Sequence, residues 1–190
     1  GKSSRMKRDK AFLQIGEKTF VENAARILAP VCRQIKIVLN KSQTHFTRKL
    51  PENTQYIFDI YENRGALGGI HAALSDCQSG WAIILAVDLQ LVTDEAIENL
   101  ARIAFESKDF AAVVPIQMDG RPQPLCAVYR VEDCLPKLGN LLKEPTSASV
   151  RDFLKLVPTR FIGQDELATN GREDLFFNVN RPSDFQNLID

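Results

Sequence analysis

Residues 82–88 read Ala82-Ile83-Ile84-Leu85-Ala86-Val87-Asp88, and this stretch decides the fold. Its six apolar residues follow one another without a polar alternate. A strand with one wet face alternates apolar and polar side chains. An unbroken run is expected where helices cover both faces of a sheet. The run stops at a carboxylate, Asp88. Sheets of this kind bind ligands beyond the carboxyl ends of their strands. Asp88 is therefore expected at the mouth of the sheet, where a carboxylate can hold a hard cation such as Mg²⁺ beside phosphates. The competing reading is a turn former, since Asp is common after strands.

The same grammar extends outward. Upstream, Ile35–Leu39 is a short apolar run that ends at Asn40, and Gln55–Ile60 is another, containing Asp59. Phe20, Ala24, Ile27, Leu28 and Val31 recur at helical spacing over residues 20–31. A helix is expected after Gly68-Gly69, with Ile70, Ala73, Leu74 and Cys77 on one face. Downstream, Thr93 can cap a helix whose positive end suits Asp94 and Glu95. Further strands are expected at Phe110–Val114 and Leu125–Tyr129. Ser147 is expected to cap a helix holding Val150, Phe153 and Leu154, and a last short helix to start near Pro182. Strands alternating with helices predict an α/β fold, a three-layer doubly wound and mostly parallel sheet. The strand-end rule then selects Asn40, Asp59 and Asp88.

Composition narrows the function. At 190 residues the chain is expected to be one domain, 1–190. It carries 24 basic and 24 acidic residues, so no global charge draws it to nucleic acid or an anionic membrane. The run Trp81–Val87 is far too short to span a bilayer. Cys32, Cys77, Cys126 and Cys134 form no C-x-x-C pair and read as thiols of a reducing, cytoplasmic compartment. His45 and His71 read as surface or packing residues rather than bases. The first ten residues, Gly1-Lys2-Ser3-Ser4-Arg5-Met6-Lys7-Arg8-Asp9-Lys10, hold five basic side chains and one acid. Such a local charge suggests a local anion such as phosphate. Gly1 would let backbone N–H groups approach it, and Lys2, Arg5 and Lys10 would donate charge-assisted bonds. The bland alternative is a solvated basic segment.

Gly1-x-Ser3-x-Arg5-Met6-x-x-Asp9-Lys10 resembles the end of the nucleotide-binding signature of molybdenum cofactor guanylyltransferases, within the Rossmann-like nucleotidyltransferase fold. Further resemblances follow in order. They are Asn40 after the second-strand motif, Asp59 ahead of Gly65-Ala66-Leu67-Gly68-Gly69-Ile70, and Val87-Asp88 as the metal-binding aspartate. Arg121-Pro122-Gln123-Pro124-Leu125 and Asn178-Val179-Asn180-x-Pro182-x-Asp184 complete the set. The sequence departs from the family at Lys7, where Gly is common, at Ala66, where Pro is usual, and at Gln90, where Pro commonly stands. The family also has a strand and an Ala-Gly-Gly turn before this loop, of which only Gly1 is present; a domain lacking that strand is the expectation.

The resemblance implies transfer of GMP from GTP to molybdopterin, with Mg²⁺ as cofactor. It implies Lys10 on the nucleotide phosphates with Gly1 and Arg5 beside them, Asp88 on the metal, and Asn40 and Asp59 on the nucleoside. Asn178 and Asn180 would lie on the pterin side, unless they only hold their loop through side-chain to backbone bonds. The implied partners are proteins that deliver the cofactor or accept the product. The Gly65–Gly69 segment is expected as a loop whose backbone faces the base. Three alternatives stay open: a nucleotidyltransferase for another base or a sugar-phosphate acceptor, a P-loop NTPase built on Gly1-Lys2-Ser3, and a noncatalytic nucleotide-binding module.

Overall fold

The structure is a computed structural model in which residues 10–40, 50–144, 148–167, 174–179 and 184 are described. A 3-10 turn, Lys10–Phe12, leads into a hairpin of β1 (Gln14–Ile15) and β2 (Lys18–Thr19) that turns at Gly16, where φ is +59°. β2 runs straight into α1 (Phe20–Leu28). Thr19 starts this helix by a reciprocal cap. Its hydroxyl accepts the Glu22 N–H, and the Glu22 carboxylate accepts the Thr19 N–H at 2.8 Å.

β3 (Ile35–Leu39) and β4 (Thr54–Phe58) pair in parallel. They are followed by α2 (Gly65–Ser75), β5 (Trp81–Leu85), α3 (Asp94–Glu106) and β6 (Ala112–Pro115). Then come β7 (Cys126–Arg130), α4 (Val131–Lys143), α5 (Val150–Leu154) and β8 (Thr159–Ile162). The larger sheet has the order β5-β7-β6-β8. β6 and β8 are parallel, whereas β7 runs antiparallel to both its neighbours. The reason is local. Residues 116–125 join β6 to β7 without a crossover helix; Ile116 bridges Pro122, and Gly120 turns the chain at φ +79°. A short connection of this kind yields an antiparallel pair.

Successive residues of these strands point to opposite faces and enter different cores. Val113 and Val128 pack with Ile27 of α1 and with Ile97 and Leu100 of α3. Ala112, Val114, Ala127 and Tyr129 pack with Ile70 of α2, Leu138 of α4 and Phe153 of α5. This is the helix–sheet–helix layering expected of the α/β fold. Tyr129 is fully buried, and its hydroxyl donates to the Pro124 carbonyl at 2.8 Å.

Some local expectations change. α2 starts at Gly65 rather than after Gly69, so the Gly65–Gly69 segment is the first turn of a helix and not a loop. The cap of α5 is Ser149, which accepts the Asp152 N–H at 3.2 Å; Ser147 lies outside the described residues, as does Pro182. Helix α4 and strand β8 have no counterpart in the sequence reading. No helix among the described residues is long and apolar enough to cross a membrane.

Candidate active site at the strand ends

Asn40 follows β3, Asp59 follows β4, and Asp88 lies three residues beyond β5. All three line one cavity of about 1630 Å³. Ala11, next to Lys10 in the first 3-10 turn, lines it too, as do Gly65, Ala66 and Gly69 of the first turn of α2. Three elements separated in sequence thus bring their polar ends to one place. From there the cavity runs on between β3 and β5, and every residue of both strands lines it. No ladder joins these two strands, which belong to different sheets.

Asp59 is held tightly. Its N–H donates to the Leu39 carbonyl at 2.9 Å, which ties the end of β4 to the end of β3. Its Oδ1 accepts the Tyr61 N–H at 3.3 Å. The carboxylate lies against Gly68 of α2, where a Cβ would stand 2.7 Å from Oδ1 and 2.9 Å from the Tyr61 carbonyl. Only glycine lets the helix approach so closely. Burial raises the Asp59 carboxyl above its ordinary value, opposed in part by the Tyr61 N–H. His71 packs its ring edge-on to Tyr61 at 4.9 Å and shares a hydrogen bond with the Ser75 hydroxyl through Nδ1 at 3.3 Å. Burial lowers its pKa, against the pull of the Asp59 charge.

Asp88 is pinned through the backbone. Its carbonyl accepts the Val179 N–H at 3.1 Å, which fastens the Asn178–Val179 segment to the turn after β5. Asn178 itself donates through Nδ2 to the Phe176 carbonyl at 3.2 Å, the loop-holding bond its position allowed. On the other side, Gln90 is buried. Its Nε2 donates to the carbonyls of Val87 at 2.6 Å and Phe20 at 3.3 Å, while its Oε1 accepts from Asn23 Nδ2 at 3.1 Å. The sequence reading singled out Gln90 only as a departure from a pattern; a polar residue two places after a strand-end carboxylate was the available signal.

Gly1, Arg5, His45 and Asn180 lie outside the described residues. Lys10 is placed through its backbone, at the start of the turn that reaches the cavity. Within Arg121–Leu125 only Leu125 lines the cavity, and Arg121 is paired with Asp119 through Nε at 2.7 Å. The four cysteines are free thiols, and burial pushes Cys126 and Cys134 up to about 12. Among the described residues no three of His, Cys, Asp and Glu gather into a metal cage.

Comparison with known proteins agrees with this geometry. Residues 1–161 match the family described as the MobA-like NTP transferase domain. A protein of Geobacillus sp. (strain WCH70) is 27% identical over 190 residues, covering all of this chain and 94% of its own length. One from Peptoclostridium acidaminophilum is 30% identical over 185 residues, covering 95% of this chain and 80% of its own. Each is named "Probable molybdenum cofactor guanylyltransferase". The crystal structure of molybdopterin-guanine dinucleotide biosynthesis protein A from Archaeoglobus fulgidus superposes with a TM-score of 0.79 at 22% identity, over all of this chain and 93% of that one. These matches set aside the P-loop reading. The chain belongs to the MobA-like NTP transferase domain family and is a nucleotidyltransferase.

Proposed function

We propose that the protein transfers GMP from GTP to molybdopterin, giving the guanine dinucleotide cofactor and pyrophosphate. The observation that carries this reading is the convergence of Asn40, Asp59 and Asp88 on one cavity. The names of the Geobacillus and Peptoclostridium relatives support the choice of base and acceptor.

The chemistry asks for little acid–base work. The acceptor's terminal phosphate has a second pKa of about 6 and is largely dianionic at neutral pH. One of its oxygens attacks the α-phosphorus of GTP. The bond from that phosphorus to the bridging oxygen breaks, and its electron pair leaves with pyrophosphate. No proton must be removed, so no histidine or cysteine pair is needed. The difficulty is that two anions must meet, which makes positioning and charge neutralisation the main work. Lys10 and Arg5 supply positive charge to the phosphates, and Gly1 supplies close backbone approach. Asp88 fits as a Mg²⁺ ligand, because Mg²⁺ needs only one or two protein carboxylates beside phosphates and water. Bound there, the ion would supply positive charge against the phosphates and the developing pyrophosphate. Asn40 and Asp59 take the nucleoside, where a buried carboxylate suits a donor such as the guanine N2–H₂. Asn178 and Asn180 take the acceptor side; Val179, next to Asn178, donates its N–H to the Asp88 carbonyl.

A pocket that pairs with guanine leaves buried polar groups unmatched against adenine or cytosine, which discriminates strongly. GTP with Mg²⁺ is expected to support transfer to molybdopterin, and ATP and CTP to do so poorly. Competing the three nucleotides and weighing the product by mass spectrometry tests this. A cytosine dinucleotide as the main product would assign another base, and no product with any nucleotide would leave a binding module.

We also infer that the domain is completed by one extended strand lying between β3 and β5. Among the described residues, β3 and β5 each pair on one side only, and both flank the same apolar cleft along their whole lengths. Such edges are templates for a further strand. A strand there would run beside the mouth where Ala11 lies.

A further inference from the structure

We propose that Gln90 is a positioning residue that holds the Asp88 turn in register with the phosphate side of the cavity. The proposal rests on the role given to Asp88 above. The Gln90 side chain is 8% exposed, and its amide uses both donor and acceptor functions. The Val87 carbonyl it grips belongs to the peptide that enters Asp88, so this bond at 2.6 Å sets the tilt of that peptide. The Phe20 carbonyl it also grips begins α1. The N–H of that same Phe20 donates to the Leu13 carbonyl at 2.8 Å, one residue beyond the turn Lys10–Phe12. A short relay of hydrogen bonds therefore connects the Lys10 turn, the start of α1 and the Asp88 peptide. Asn23, one turn into α1, secures the amide from behind at 3.1 Å. Val179 holds the far side of Asp88. The cation-bearing turn and the metal-side carboxylate lie 78 positions apart in sequence, and Gln90 is the side chain that bridges the elements carrying them.

An apolar residue of similar size would fill the space but lose the relay. Removing a partner that orients a metal-side carboxylate costs on the order of 10- to 100-fold in metal affinity or activity. Gln90→Leu is expected to lose turnover on that scale. It should also raise the Mg²⁺ concentration needed for half-maximal binding of a fluorescent GTP analogue. Gln90→Glu adds a second readout. An ionised carboxylate can donate to neither the Val87 nor the Phe20 carbonyl, whereas a protonated one has a single O–H and can donate to one of them. Its turnover relative to the unmodified protein should recover as pH falls. Asp88→Asn run alongside separates the failures. If Asp88→Asn keeps turnover and its Mg²⁺ response, the role of Asp88 itself is wrong. If Asp88→Asn loses both while the two Gln90 variants lose only melting temperature, Gln90 is a packing residue and the proposal falls. Should Gln90→Leu fail to fold, Asn23→Ala decides instead, since it removes the bond that secures the Gln90 amide: an unchanged Mg²⁺ response overturns the proposal.

Discussion

Asp59 sits where a carboxylate is costly and glycine makes room for it. Its carboxyl is pushed up by burial, so the folded state binds its proton more readily than the unfolded chain does. Stability from this group is therefore greatest when it is protonated and is lost as pH rises through its folded pKa. Asp59→Asn should raise the melting temperature of the ligand-free protein at pH 7, with the gain shrinking toward pH 4, while GTP binding weakens at least 10-fold. A melting curve and a nucleotide titration across that pH range check both signs. Gly68→Ala should weaken GTP binding as well, because its Cβ would meet the Asp59 carboxylate at 2.7 Å. The usual gain of roughly 0.5–1 kcal/mol from removing a helical glycine should be reversed here. Asn40, Asp59 and Asp88 were legible from sequence because Asn40 and Asp88 end apolar runs and Asp59 stands near the end of one. The need for Gly68 was not, since it arises from a close approach between a strand end and a helix.

Among the elements, strands and helices with unbroken apolar patterns were the readable ones. α1, α3, β3 and β5 lie within a few residues of expectation. α4 escaped notice because Pro136 and Gly139 interrupt its pattern, although Cys134, Leu138 and Leu142 bury one face. α2 was placed late because Gly65, Gly68 and Gly69 read as a turn, whereas Gly68 lies inside the helix, where packing against Asp59 demands it. The cleft between β3 and β5 belongs to this scale too. Extending the chain ahead of Gly1 by about six apolar, β-branched residues and a glycine turn should raise the melting temperature by several degrees. The same extension should protect the amides facing the cleft on β3 and β5 from hydrogen exchange. An extended chain with unchanged melting and exchange would show that the cleft does not take a strand.

For the molecule as a whole, three layers were expected and three layers form, with each face of the sheet feeding its own core. The direction of β7 was not legible, because apolar runs do not reveal whether the chain turns back or crosses over. That reversal has a consequence for the order in which the protein folds. Val113 faces Val128 across a short excursion, while the parallel partner of Val113 on β8 is Arg160, much further along the chain. Closing a long loop costs more entropy than closing a short one, and the cost is met before the contact forms. The β6–β7 hairpin is therefore expected to form in the folding transition state and β8 to dock afterwards. Val128→Ala should chiefly slow refolding, with a Φ value of about 0.6 or more, and Ile162→Val should chiefly speed unfolding. Stopped-flow chevrons of the two variants would show it. Equal Φ values would mean that the late parallel pairing is as early as the hairpin, and that the reversal at β7 gives this sheet no head start.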